Sequence, residues 1–165
     1  MTLDSSIAII ANIALALSFI AALIFGMVQI RAAERDRHER FTLETLRTFQ
    51  TREFAEQIMF IRDIEPPSSG AEFISLPKEH QVLMIQYAQQ MESLGMMVHD
   101  RFIDLDLVDK TLGSFVSSTW EKYKPMFLDM RKTLSDPYLG EYFQWLAERI
   151  DKKMKEKPRT PFHEE

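Results

Sequence analysis

The side chains that could do chemistry in this chain fall into a few short clusters. Met96-Met97-Val98-His99 gathers two thioethers and an imidazole within about a turn of helix, a soft donor set suited to Cu(I). Methionine is also an ordinary filler of helical cores, and the ten methionines are scattered along the sequence, so packing is the expected role and no metal is assigned. Asp104, Asp106 and Asp109 resemble the opening of a calcium loop but lack its turn glycine and closing glutamate. Helix capping and a solvated face account for them. Glu92 and His99 are two helical turns apart and could share an acid–base site, yet no second carboxylate or nucleophile is spaced to join them. With no cysteine, thiolate chemistry and disulfides are excluded. The five glycines are too dispersed to cradle a phosphate, and no Glu-x-x-His pair of the di-iron bundles occurs. No catalytic or cofactor-binding residue is assigned, and the chain reads as non-enzymatic.

Two further clusters bear on surfaces. Trp120-Glu121-Lys122-Tyr123-Lys124 interleaves aromatic and basic residues, a pattern that stacks on bases or docks at a lipid interface. At helical spacing the expected alternative is that Trp120 and Tyr123 wedge a bundle, with lysines at its rim. Lys152, Lys153, Lys155 and Lys157 make the C-terminal stretch basic; a solvated helix end is the expected reading, and attraction for anionic lipid is the functional alternative. Nucleic acid is not an expected partner, because the balance is acidic overall. All 20 basic residues and 24 of the 25 acids lie beyond residue 30, a net charge of −4 for that part.

The elements that must position these residues are helices throughout. From Ser5 to Ile30 there is no charge, and residues 7–28 are apolar apart from Asn12, Ser18 and Gly26. At about 1.5 Å per residue this reaches roughly 33 Å, enough to cross a hydrocarbon core. Its twelve Ile, Leu, Phe and Val side chains favour insertion by roughly 4 to 6 kcal/mol before penalties. A cleaved signal peptide fits poorly, since the leading Met-Thr-Leu-Asp is not basic and no small-x-small cleavage pattern follows. Arg31, Arg35, Arg37 and Arg40 follow the span, so the positive-inside rule places the N-terminus outside and the remainder in the cytoplasm. Ala14, Ser18, Ala22 and Gly26 recur every fourth residue along one face of the span, a small-residue ladder that predicts a weak homodimer within the bilayer.

Beyond the span, residues 31–64 contain neither Pro nor Gly and read as one stalk helix, with Leu43, Leu46, Gln50, Phe54, Gln57, Ile61 and Ile64 on a stripe. The segment 65–76 is a linker, broken by Pro66-Pro67. Residues 77–151 form a helical bundle that packs on the lower stalk, and 152–165 make a polar tail. Within the bundle, Ser75-Leu76-Pro77 and Ser135-Asp136-Pro137 each read as a cap followed by an early proline. The intervening helix carries Met84, Tyr87, Ala88, Met91, Leu94, Gly95, Val98 and Phe102 on one face. Asp104 caps a short helix to Leu112, and a longer one follows that Pro125 bends or splits. The last helix is lined by Leu139, Phe143, Leu146 and Ile150. The fold class is therefore all-α, a single transmembrane helix continuing into a small cytoplasmic bundle.

This layout, with its N-terminal span, basic following helix, Ile103-Asp104-Leu105-Asp106 turn, Trp120 before Pro125, and Pro137 with Phe143 and Leu146, resembles the bacterial membrane-anchored domain-of-unknown-function family 4760. The resemblance implies a bacterial inner-membrane setting and brings no activity, cofactor or site residues with it. The expected function is a membrane-tethered interaction or scaffold module with an unknown protein partner. The alternative is a membrane-bound sensor that holds a small ligand or metal between helices.

Overall fold

The structure, a computed structural model of the chain, describes residues 3–158, 160 and 163. Six helices occur in order: α1 (Leu3–Thr48), α2 (Arg52–Asp63), α3 (Gly70–Ser75), α4 (Lys78–His99), α5 (Leu105–Thr133) and α6 (Glu141–Glu156). Among the described residues there is no strand. The chain divides into two compact units, residues 1–40 and residues 41–165.

The first unit is the long apolar part of α1. Its most hydrophobic window has a mean hydropathy of 2.4 and none of it is buried, so this helix is long and apolar enough to cross a membrane. Leu15, Phe25 and Ile10 are each more than 65% exposed.

The second unit is a bundle whose core is built where α6 packs against α4 and α5. Met91 and Leu94 from α4, Val108, Val116 and Trp120 from α5, and Phe143, Leu146 and Ile150 from α6 are almost completely buried. Trp120 stands 5.2 Å from Phe143 and 5.3 Å from Phe127, ring centroid to centroid. The α4 stripe read from the sequence is the buried one, except that Phe102 lies beyond the helix end and is exposed, edge-on to Phe41.

Glycine and glutamate together fix the α4–α6 junction. A Cβ at Gly95 would stand 2.2 Å from the carbonyl oxygen of Tyr142, so only glycine permits this approach. One turn earlier, the Glu92 carboxylate accepts hydrogen bonds from the backbone N–H groups of Tyr142 (3.2 Å) and Phe143 (2.9 Å). The residue at the start of α6, Gly140, has φ of 69° and no side chain with which to cap, so α4 supplies the cap instead.

Several expectations about boundaries need correction. Residues 31–64 are not one helix: α1 ends at Thr48, and Thr51 starts α2 by accepting a hydrogen bond from Phe54 N–H (3.1 Å). The reason is local competition, because a threonine hydroxyl offers the backbone an alternative to helical pairing, and Phe49 then folds against Phe54 with ring centroids 5.0 Å apart. Leu46, Phe54, Gln57 and Ile61 are buried as the stripe requires, while Leu43 and Gln50 face solvent.

The 65–76 linker contains a helix, α3. Ser69 accepts from Glu72 N–H, and Glu72 in turn accepts from the N–H and hydroxyl of Ser68. These bonds hold the Glu72 carboxyl below the usual range, led by the Ser68 backbone N–H. Ser75 closes α3, donating to the Glu72 carbonyl, rather than opening α4. Likewise Asp136 accepts from Tyr138 N–H in a turn that precedes α6, which begins only at Glu141. Finally, α5 is continuous: Asp104 caps it through Asp106 N–H, and Pro125 is accommodated inside. Pro125 and Glu121 are both exposed, so the carbonyl left without its helical donor can be hydrated.

Candidate interaction surface

The residues that suggested chemistry are for the most part committed to holding the bundle together. His99 ends α4 with Nδ1 2.8 Å from the Asp100 carboxylate, and its ring meets Tyr142 and Trp145 edge-on at 5.4 and 5.1 Å. Met96 points outward, Val98 is buried, and Met97 is half-buried, so the four-residue cluster is spread around the helix. Among the described residues, no three His, Asp or Glu side chains come together in a way that could hold a metal ion. Glu92 and His99 both reach toward α6, the first as a cap and the second as an aromatic contact.

The three aspartates separate in the same way. Asp104 caps α5, whereas Asp106 and the buried Asp109 both pair with Lys153 of α6. Gly113 makes the space, since a Cβ there would lie 2.7 Å from the Asp109 carboxylate. Burial opposes charge on Lys153, but the hydrogen bonds and attraction from Asp106 and Asp109 outweigh it and raise its pKa above the ordinary value. Lys153 is thus an internal tie between helices. Lys152 pairs at 3.7 Å with Glu156 on the surface, and Lys155 and Lys157 are exposed.

Trp120 and Tyr123 are core residues, each 3% exposed or less. Tyr123 donates its hydroxyl to the Ile61 carbonyl at 2.9 Å, and burial pushes its pKa up to about 12. Lys122 donates to the carbonyls of Ile61, Arg62 and Ile64. This aromatic–basic pair therefore closes the C-terminus of α2, where carbonyls would otherwise lack donors.

Along the apolar part of α1, Ala14, Ser18 and Ala22 are exposed and nothing lies within 4 Å of a Cβ built on Gly26. Arg31, Arg35, Arg37 and Arg40 are exposed as well, with Arg35 paired to Glu39 one turn on at 2.8 Å.

The outward side of α4 remains uncommitted. Val82, Ile85, Gln86, Gln89, Gln90, Ser93 and Met96 are all exposed or half-exposed, and Met97 is half-buried beside them. Between Gln81 and Met97 the one charged residue is Glu92, and its carboxylate is spent on α6. Exposed helix faces are normally charged, and the chain as a whole is 27% charged, so four turns without a free charge stand out. Beside this face runs a groove of about 690 Å³ between α4, α2 and the end of α1. Phe49, Phe54, Leu83 and Met97 supply its apolar lining; Gln86, Gln89, Gln90 and Ser93 supply amides and a hydroxyl. Gln57 spans it from α2, donating to the Leu83 carbonyl at 2.9 Å. The acids in the lining are Glu53 and Glu56, the latter paired with Arg52, and no lysine or arginine lines it.

The model of the family described as Domain of unknown function (DUF4760) matches residues 13–150. The chain belongs to this family. The match takes in most of the apolar segment of α1 and the whole of the α4 face and its groove, and stops short of Lys153. No curated protein and no solved structure matches the chain. The periodicity of α4 points to its buried stripe and is silent on the complementary face. A signal for that face was present nonetheless, as an uncharged run from Gln81 to Met91 on a helix that also had to face water.

Proposed function

We propose that this member of the family is a membrane-tethered helical interaction module, non-catalytic, whose bundle is held in the cytoplasm by α1. The observation that carries the reading is the apolar segment of α1, whose most hydrophobic stretch has no buried residue and for which lipid is the natural solvent. Arg31, Arg35, Arg37 and Arg40, just past the segment, favour an inside location for the bundle. Within the bundle, the polar and ionic clusters are consumed by caps and interhelical ties, while an uncharged face is left open on α4. Depletion of charge with methionine retained is the composition of an interface centre.

Two measurements test this. Carbonate washing of membranes should leave the full chain in the pellet, and detergent should release it; extraction by carbonate alone would remove the tether. A reporter fused after Glu165 should behave as cytoplasmic, and full periplasmic phosphatase activity would reverse the orientation.

A further inference from the structure

On the outer face of α4, Val82, Gln86, Gln89, Ser93 and Met96 are spaced four, three, four and three residues apart, the register of a helix–helix seam. All five are exposed in the single chain. We propose that this face is a self-association surface, on which α4 of a second copy packs in parallel about a two-fold axis running along the helices, so that each seam residue lies near its own counterpart.

Charge identifies the occupant. In an isologous contact, residues close to the axis meet their own counterparts, so a charged side chain there faces a like charge. An amide carries both donors and an acceptor and pairs with its own copy. A face made for an acidic or basic partner would carry the opposite charge, and this one carries none. Gln89 at the middle of the seam supplies the self-complementary group, and Ser93 beside it is small enough for close approach. The strip is much smaller than the roughly 20–30 residues a side of a stable interface. The contact is therefore weak, and its occupancy rests on the tether proposed above, which confines copies to two dimensions and raises their effective concentration.

Because the chain has no cysteine, single introduced cysteines report the contact directly. The full chain is reconstituted in lipid vesicles and treated with a mild oxidant. Gln89→Cys and Ser93→Cys should form disulfide-linked dimers roughly fivefold or more faster than Lys132→Cys, an exposed site on α5 outside this face. Adding Gln89→Glu to the Ser93→Cys reporter should slow its cross-linking, and mixing that variant with one carrying Gln89→Lys in the same Ser93→Cys background should restore the rate. The measurement is repeated with Ala22→Ile and Gly26→Ile in α1, and the ordering should persist. Equal rates at all three cysteines, an unaffected Gln89→Glu variant, or an ordering that vanishes in the α1 background would each overturn the proposal. Recovery of the chain in the soluble fraction would sink the tether alone. The same ordering is then expected in solution at raised protein concentration, and its absence there overturns the α4 contact.

Discussion

Replacing Glu92 by alanine should weaken the bundle more than any other change at a partly exposed position of α4. Its carboxylate accepts two backbone N–H groups at the start of α6, at 2.9 and 3.2 Å, and Gly140 offers no substitute. Loss of a helix cap costs about 1–2 kcal/mol, and loss of a negative charge at a helix N-terminus adds about 0.3–1 kcal/mol. The total is roughly 2 kcal/mol. For a bundle of this size, about 1 kcal/mol moves the melting temperature by about 3–5 °C, so Glu92→Ala should melt about 6–10 °C lower. Glu92→Gln keeps one acceptor oxygen and loses the charge, and should fall between the two. Tryptophan fluorescence of the full chain in detergent is a suitable readout, because Trp120 packs on Phe143 and Trp145 lies within α6. It also ignores α1, which contains no tryptophan. A Glu92→Ala protein melting within about 1 °C of the parent would refute the idea that α4 caps α6.

Lys153→Met should cost about 3 kcal/mol in the same assay, because it removes the ammonium that pairs with the buried Asp109 carboxylate, whereas Lys155→Met should change stability by less than about 0.5 kcal/mol. Comparable losses from both would mean Lys153 is a surface lysine. Asp106 has its carboxyl lowered mainly by the Lys153 hydrogen bond, so its contribution is present above the unfolded aspartate pKa and fades as pH falls through the lower folded value. Acid titration of the melting temperature should therefore show a shallower loss in Lys153→Met than in the parent, and identical profiles would count against the pair. Met91→Asp buries an unpaired charge at a position with no exposure and should prevent cooperative unfolding altogether; an unchanged transition would mean the α4 faces are reversed.

Periodicity and breakers determined much of this protein from its residues alone. An uncharged run from Ser5 to Ile30 has one physical reading as a helix, because nothing in it can interrupt backbone pairing and lipid or a core must take its side chains. The stripe from Met84 to Val98 named the buried side of α4 for the same reason, since burial follows the 3.6-residue period whatever it packs against. Asp104 was legible as a cap because its bond to Asp106 N–H spans two residues. Ser69 and Glu72 carry a signal of the same range, the spacing of a capping box, inside a segment whose Pro66-Pro67 pair marks it as a linker. Other features had no local signal at all. That Glu92 caps α6, that Lys153 neutralises Asp109, and that Lys122 closes α2 each join residues about 45 to 60 positions apart. Such pairings depend on which helices become neighbours, and any of several partners would have satisfied the same charge. Tertiary structure alone therefore decided which polar groups were consumed internally. By consuming them, it left the amides of α4 as the exposed face whose chemistry remains unspent.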